Sequence, residues 1–132
     1  MRWDIIPVFV PIIFQGVKIT LQISALGILF GTMIGLVVGL VRSQKPANPV
    51  LRLLYGLATL YVEVIRGTPF LVQLYLMYYG PIYLFRLDLP AMTAGIIALS
   101  LNSGAYVAEI ARGAIESIDR GQMEAGRSLG LT

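Results

Sequence analysis

Three polar side chains recur about one helical turn apart in a segment that carries no charge before Glu109. Asn102, Tyr106 and Glu109 come after a stretch that begins at Pro90 and carries no charge. On a helix with about 100° per residue, the three lie within roughly 40° of a common direction. An amide, a phenol and a carboxylate on one face can bind a polar solute, although Asn102 can also simply join two helices. Because such groups are costly in contact with lipid, this face is expected to look into a helix bundle or a watery cavity.

Further polar residues are weaker candidates for the same substrate path. Gln73 and Tyr78 lie in the preceding apolar segment, and Arg66 stands just before its first turn, where a helix N-terminus attracts anions. Structural roles are open as well. Glu109 can pair with Arg112 one turn later or with Arg66 across the bundle, and Arg66 can anchor the chain at a membrane surface.

The end of the sequence has the pattern of a short amphipathic helix over about 119–130. Asp119 is suited to the N-cap, Gln122 to the partner position of a capping box, and Gly130 to the end of the helix. Taken alone, this pattern also fits a solvated chain end.

The composition leaves little room for catalysis. The chain has no cysteine and no histidine, which removes disulfides, thiolate nucleophiles, imidazole acid–base chemistry and most zinc or haem ligation. It has no GxxxxGK[ST] loop for nucleotide phosphates. Its ten basic and seven acidic residues are scattered without a basic stripe, so nucleic acid is not an expected partner. We expect no catalytic residue, no metal site and no cofactor on this chain.

In the first long apolar segment, glycine recurs at every fourth position. The chain is 57% hydrophobic and only 13% charged, and 23 consecutive residues between Lys18 and Arg42 carry no charge. As a helix this run spans about 35 Å, enough to cross a bilayer with some tilt. Small residues at every fourth position let two helices approach closely in lipid. The predicted packing face consists of Gly27, Gly31, Gly35 and Gly39.

The apolar residues from Leu53 to Phe85 are too many for one crossing. As a single helix they would measure about 50 Å, well beyond the hydrocarbon core. Gly67, Thr68 and Pro69 supply a break, with Thr68 as N-cap and Pro69 as the first helical residue. The sequence therefore predicts an interfacial helix over Leu53 to Ile65 and a crossing after it.

Three crossings result, within one membrane domain that occupies residues 1–132. They lie at about 17–41, 69–86 and 90–117, and residues 5–14 are expected to form a short interfacial segment. The predicted fold class is an all-α membrane protein.

Basic residues set the expected orientation. The loop from Arg42 to Arg66 carries four cations, the stretch between the second and third crossings carries only Arg86, and the tail carries three. The positive-inside rule then places the first loop and the C-terminus in the cytoplasm and the N-terminus outside.

Three motifs in the same order give the sequence a family resemblance. Glu124 and Ala125, with Gly130 six residues after the glutamate, resemble the cytoplasmic signature of binding-protein-dependent ABC importer permeases, with Gly126 in place of the second alanine. The stretches 61–73 and 102–109 are similar to the polar-amino-acid branch of that family, the histidine, glutamine and arginine type.

The resemblance implies a fold and a function. It implies three transmembrane helices of a type-1 permease bundle, an interfacial helix, and a cytoplasmic coupling helix that seats in an ATPase subunit. The implied function is the passage of polar amino acids across the bacterial inner membrane. The implied coupling residues are Asp119, Gly121, Gln122, Glu124, Ala125, Gly126 and Gly130.

The same resemblance implies partners. ATP and Mg would be bound by separate ATPase subunits in the cytoplasm, and a second permease subunit, identical or related, would complete the path. A solute-binding protein would deliver a polar amino acid from outside, and lipid would surround the bundle. Permeases of this family usually have about five crossings, so a chain that stops at Thr132 is expected to be truncated.

Two other functions remain open from the residues alone. One is a carrier driven by an ion gradient that uses Glu109 for proton coupling. The other is a membrane scaffold that transports nothing.

Overall fold

The computed structural model describes residues 6–44, 46–118, 121, 128 and 130. Within this part of the chain the regular elements are four helices, α1 (Ile6–Ser43), α2 (Pro49–Gly67), α3 (Phe70–Phe85) and α4 (Ala91–Glu116). No strand occurs among these residues, so the predicted all-α fold class is confirmed. α4 is the central element, because α1, α2 and α3 each pack against it.

α1 begins earlier than the sequence predicts. The expected separate segment at 5–14 is continuous with α1 from Ile6 onward, and the helix passes through Pro11 without a break. Pro11 lies in the second turn, where its missing N–H removes one backbone hydrogen bond close to the helix start. Apolar residues on both sides of Pro11 then continue the helix.

α2 also starts earlier than Leu53. The Asn48 side chain accepts a hydrogen bond of 2.8 Å from the Leu51 N–H, and Pro49 occupies the first turn. An asparagine cap followed by proline is a strong helix start, because the cap satisfies a free N–H and proline does not need one.

The elbow between α2 and α3 differs from the prediction at Thr68. Thr68 does not cap α3; its hydroxyl donates to the Val64 carbonyl at 2.7 Å and the residue closes α2. Such bonds to the carbonyl four residues earlier are common for threonine on a helix. Pro69 takes the N-cap position of α3 without a side-chain hydrogen bond, and α3 begins at Phe70.

Two helices among the described residues are long and apolar enough to cross a membrane. They are Phe9–Ser43 and Ala91–Glu116. α3 is apolar but has 16 residues, or about 24 Å, which is less than the hydrocarbon core of about 30 Å. The assignment of α3 to the second crossing remains a prediction.

The contact between α1 and α4 is made by small residues. A Cβ placed on Gly31 would lie 2.7 Å from the Ser103 Cβ, and one on Gly35 would lie 2.7 Å from the Gly104 carbonyl oxygen. Gly27 and Gly39 meet α4 in the same way. The fully buried apolar side chains of the described core are likewise small, namely Val62, Ala94, Ala98, Ala105 and Ala108. The two backbones therefore approach at distances that larger side chains would prevent.

The glycine contacts also fix the relative direction of the two helices. Each glycine faces the α4 residue 72 positions later in the sequence, from Leu99 opposite Gly27 to Ala111 opposite Gly39. Because the residue numbers rise together, α1 and α4 run parallel. The C-terminal turns of both helices consequently lie at the same end of the bundle, where Arg42 and Glu109 are found.

Candidate functional site

Glu109 is the centre of a charged cluster that joins three helices. Its Oε2 accepts a hydrogen bond of 2.7 Å from Arg42 Nη1 at the end of α1. The same oxygen lies 3.4 Å from Nη1 of Arg66, in the last turn of α2. Its Oε1 accepts a hydrogen bond from Arg112, which also donates to Glu116. We call these five residues the Glu109 cluster.

The members of the Glu109 cluster differ in burial. The side chain of Arg42 is 10% exposed, that of Glu109 26% and that of Arg66 40%. Nε of Arg42 and Nε of Arg112 are buried and have no hydrogen-bond partner among the described residues. Both carboxylate oxygens of Glu109 are thus occupied by guanidinium groups, and the cluster carries more donors than acceptors.

Sequence reasoning missed two residues of this cluster, Glu116 and Arg42. Arg42 is 67 positions away from Glu109, and no local motif connects the two. The parallel glycine register provides a signal, because it places the last turn of α1 beside the last turns of α4. That register becomes visible when the glycines of α1 are aligned with the α4 residues that face them, from Leu99 to Ala111.

Arg66 and Tyr106 form a second part of the site. The Arg66 guanidinium carbon lies 5.5 Å from the centre of the Tyr106 ring, a distance suited to a cation–π contact. Tyr106 is 47% exposed. Asn102, one turn earlier on α4, is half-buried, and its side chain makes no hydrogen bond to a described residue. Three of the predicted path residues, Arg66, Tyr106 and Glu109, are therefore brought together, with Asn102 on the same helix face.

Gln73 lies at the elbow instead of in the Glu109 cluster. It is 6% exposed, and its amide nitrogen donates to the Ile65 carbonyl at 2.7 Å and to the Thr68 carbonyl at 2.9 Å. These carbonyls lie at the end of α2, where the Ile65 oxygen also accepts a long backbone hydrogen bond of 3.4 Å from the Thr68 N–H. The observed contacts of Gln73 therefore hold α3 to α2.

Tyr78 belongs to an aromatic group on α3. Its ring meets that of Tyr79 edge-on at 4.8 Å, and Tyr75 stacks on Tyr79 at 5.8 Å. These tyrosines line a cavity of about 260 Å³ together with the start of α4. Tyr78 makes no hydrogen bond or ion pair with the Glu109 cluster among the described residues.

Most of the predicted coupling residues lie outside the described part of the chain. These are Asp119, Gln122, Glu124, Ala125 and Gly126. Gly121 and Gly130 are described and both are exposed. Gly130 has a φ of 79°, in the left-handed region that glycine adopts without strain and that is common just after a helix end.

No group of three or more potential metal ligands of the histidine, cysteine, aspartate or glutamate type occurs in the part of the chain that the structure describes.

Comparisons with known proteins identify relatives along nearly the whole chain. A family model described as "Binding-protein-dependent transport system inner membrane component" matches residues 31–132. The chain is 44% identical over 122 residues to a "Probable amino-acid ABC transporter permease protein YckA" of Bacillus subtilis, covering 92% of this chain and 51% of that protein. It is 41% identical over 133 residues to the "Glutamine transport system permease protein GlnP" of Escherichia coli, covering 98% of this chain and 58% of that protein.

A solved structure has the same fold. It is described as "Crystal structure of an amino acid ABC transporter with histidines", and it matches with a TM-score of 0.83 and 42% identity. The match covers 96% of this chain and 56% of the solved chain. The chain thus spans about half the length of the relatives that it matches.

Proposed function

Because this chain belongs to the family of binding-protein-dependent transport system inner membrane components, we propose that it is the permease part of an ATP-driven importer of polar amino acids. The observation that carries the proposal is the similarity, over 90% or more of this chain, to proteins named as amino-acid and glutamine permeases. Proteins of this family are transport permeases and not catalytic enzymes. ATP and Mg are bound by separate ATPase subunits in this proposal.

The proposed assembly has three kinds of component. Two copies of the permease, or this one and a close relative, enclose the path, and two ATPase subunits bind from the cytoplasm. A solute-binding protein delivers the amino acid from outside. Nucleotide closure of the ATPase subunits then shifts the helices between inward-open and outward-open states, which is a two-state change driven from a remote site.

The parallel direction of α1 and α4 supports three crossings. If both helices pass through the bilayer in the same direction, the residues between them must return through it once. α3 is the apolar helix available for that return, and α2 then lies near the cytoplasmic face. In this topology the N-terminus is outside and the C-terminus is cytoplasmic, as the distribution of arginine and lysine favours.

The polar face of α4 is the proposed substrate path. Arg66, Tyr106 and Glu109 lie together, and Asn102, whose side chain makes no hydrogen bond to a described residue, shares the α4 face of Tyr106 and Glu109. Gln73 and Tyr78 remain weaker members, since the contacts of Gln73 are with the elbow and those of Tyr78 are with neighbouring tyrosines.

We propose that residues 119–130 transmit the conformational change of the ATPase to the permease. They follow α4 directly, so a displacement of this segment would act on the helix that contacts all the others. Glu124 would offer a carboxylate to basic or amide groups of the ATPase, and Ala125 and Gly126 would permit close approach.

The test is a charge reversal at Glu124 in the full-length permease. We expect Glu124→Arg to abolish co-purification with the cognate ATPase and to lower ATP-driven uptake at least tenfold, because a cation would face the groups that bind the carboxylate. Gln44→Arg, which adds a positive charge at an exposed residue after α1, is the matched control and should leave both unchanged. If Glu124→Arg preserves assembly and transport, the coupling assignment is wrong.

A further inference from the structure

The charges of the Glu109 cluster do not balance. Three arginines face two carboxylates, and Glu109 already accepts hydrogen bonds from Arg42 and Arg112 through separate oxygens. Glu116 pairs with Arg112. Glu63, one turn before Arg66 on α2, is exposed and forms no ion pair with a described residue. One positive charge therefore remains without its own carboxylate in this part of the chain.

Arg66 is the arginine that carries this surplus. Its closest carboxylate oxygen, Oε2 of Glu109, lies 3.4 Å away and is already bonded to Arg42 at 2.7 Å. No hydrogen bond of the Arg66 guanidinium to a described residue exists, and its side chain is 40% exposed. Most of its five N–H donors are consequently available to another group.

Two neighbours nevertheless orient the Arg66 guanidinium. The Tyr106 ring lies under it, and Oε2 of Glu109 lies 3.4 Å from its Nη1. A planar guanidinium held in this manner loses little freedom when it binds a second planar group. Its fork of donors matches a carboxylate in two parallel hydrogen bonds.

We infer that the polar site on α4 recognises the carboxylate of its amino-acid substrate through Arg66, and not a positive substrate group through Glu109. Glu109 acts as a positioning residue, because its oxygens are used to hold arginines. The Asn102 amide, on the same face of α4, makes no hydrogen bond to a described residue and can meet the remaining polar groups of the substrate. This inference rests on the proposed function and specifies which end of the amino acid the site selects.

The test measures the affinities of two protein variants, each for two ligands. The full-length permease in its assembled transporter is purified without the solute-binding protein, as wild type and as Arg66→Met. The ligand pair is L-glutamine with 4-aminobutanamide, or L-histidine with histamine, whichever amino acid the wild-type complex takes up. In each pair the second compound lacks only the α-carboxylate.

We expect the effect of removing the Arg66 guanidinium to depend strongly on whether the ligand carries an α-carboxylate. Wild type should bind the amino acid roughly 10- to 100-fold more tightly than its decarboxylated analogue, as expected for a charge-assisted bidentate contact. Arg66→Met should weaken binding of the amino acid by the same factor and leave binding of the analogue within about threefold of wild type. Arg66→Lys keeps the positive charge but cannot form two parallel hydrogen bonds to a carboxylate. Its affinity for the amino acid should therefore lie between that of wild type and that of Arg66→Met.

Arg52→Met is the matched control. Arg52 lies on the exposed side of α2 and has no ion pair with a described residue, so its removal should leave both affinities at the wild-type values. Equal weakening of both ligands by Arg66→Met, or unchanged binding of the amino acid, would overturn the inference. Failure of the proposed function appears differently, as a wild-type complex that takes up neither amino acid.

Discussion

Gly35→Leu should prevent α1 from packing on α4 and eliminate the folded protein from detergent extracts. A Cβ at this position would lie 2.5 Å from the Val107 Cβ and 2.7 Å from the Gly104 carbonyl oxygen. The carbonyl belongs to the α4 backbone and cannot turn away as a flexible side chain can. Leucine adds three further carbon atoms in the same direction, so the two helices would have to separate along the glycine face.

The smaller substitution Gly35→Ala tests the same contact and can be compared with Gly16→Ala on the same helix. In an unhindered helix, replacing glycine by alanine stabilises by about 0.5 to 1 kcal/mol, whereas overpacking costs roughly 1 to 3 kcal/mol. We expect Gly35→Ala to lower the thermal stability of the purified complex and Gly16→Ala to keep or raise it. Gly16 lies on the same helix, and no atom of a described residue that could obstruct a Cβ lies within 4 Å of its Cβ position. Equal stability of the two alanine variants would contradict the close approach of α1 and α4.

Glu109→Gln should destabilise the bundle by about 3 kcal/mol. The side chain of Arg42 is nine-tenths buried, and Glu109 is its carboxylate partner. Removing one partner of a buried pair leaves an uncompensated charge, which costs roughly 3 to 5 kcal/mol. The lower end of this range applies, because Glu109 itself is 26% exposed and water reaches part of the cluster.

Glu116→Gln is the matched control for Glu109. Its side chain is 52% exposed and, among the described residues, pairs only with Arg112, so its loss should cost less than about 1 kcal/mol. Thermal unfolding of the purified complex, followed by intrinsic fluorescence or aggregation, compares the two variants directly. A shift of the same size for both would mean that Glu109 does not hold the three helices together.

The sequence predicts well the features that depend on neighbouring residues. The all-α fold class is confirmed, and the family inferred from the motifs is the family that the comparisons identify. Helices begin within one residue of the positions that Pro69 and Pro90 indicate. Proline and glycine act locally, since they remove a hydrogen bond or permit a turn wherever they stand.

Contacts between helices are harder to predict, and the Glu109 cluster illustrates why. The sequence offers Arg66 and Arg112 as partners of Glu109, but the distance to Arg42 depends on how α1 and α4 are rotated and aligned. Gln73 is a second example. Its sequence position on α3 fits a path residue, whereas its observed partners are carbonyls at the end of α2.

Uptake of an amino acid into proteoliposomes distinguishes an ATP-driven permease from a carrier driven by an ion gradient. The full-length permease would be reconstituted with its ATPase and solute-binding protein, and labelled L-glutamine or L-histidine would be offered on the side of the binding protein. For an ATP-driven permease, accumulation should require ATP on the opposite side, survive an uncoupler and be lost with Glu124→Arg. Uptake without ATP that an uncoupler dissipates would rule out the proposed ATP-driven import and would favour a carrier driven by an ion gradient.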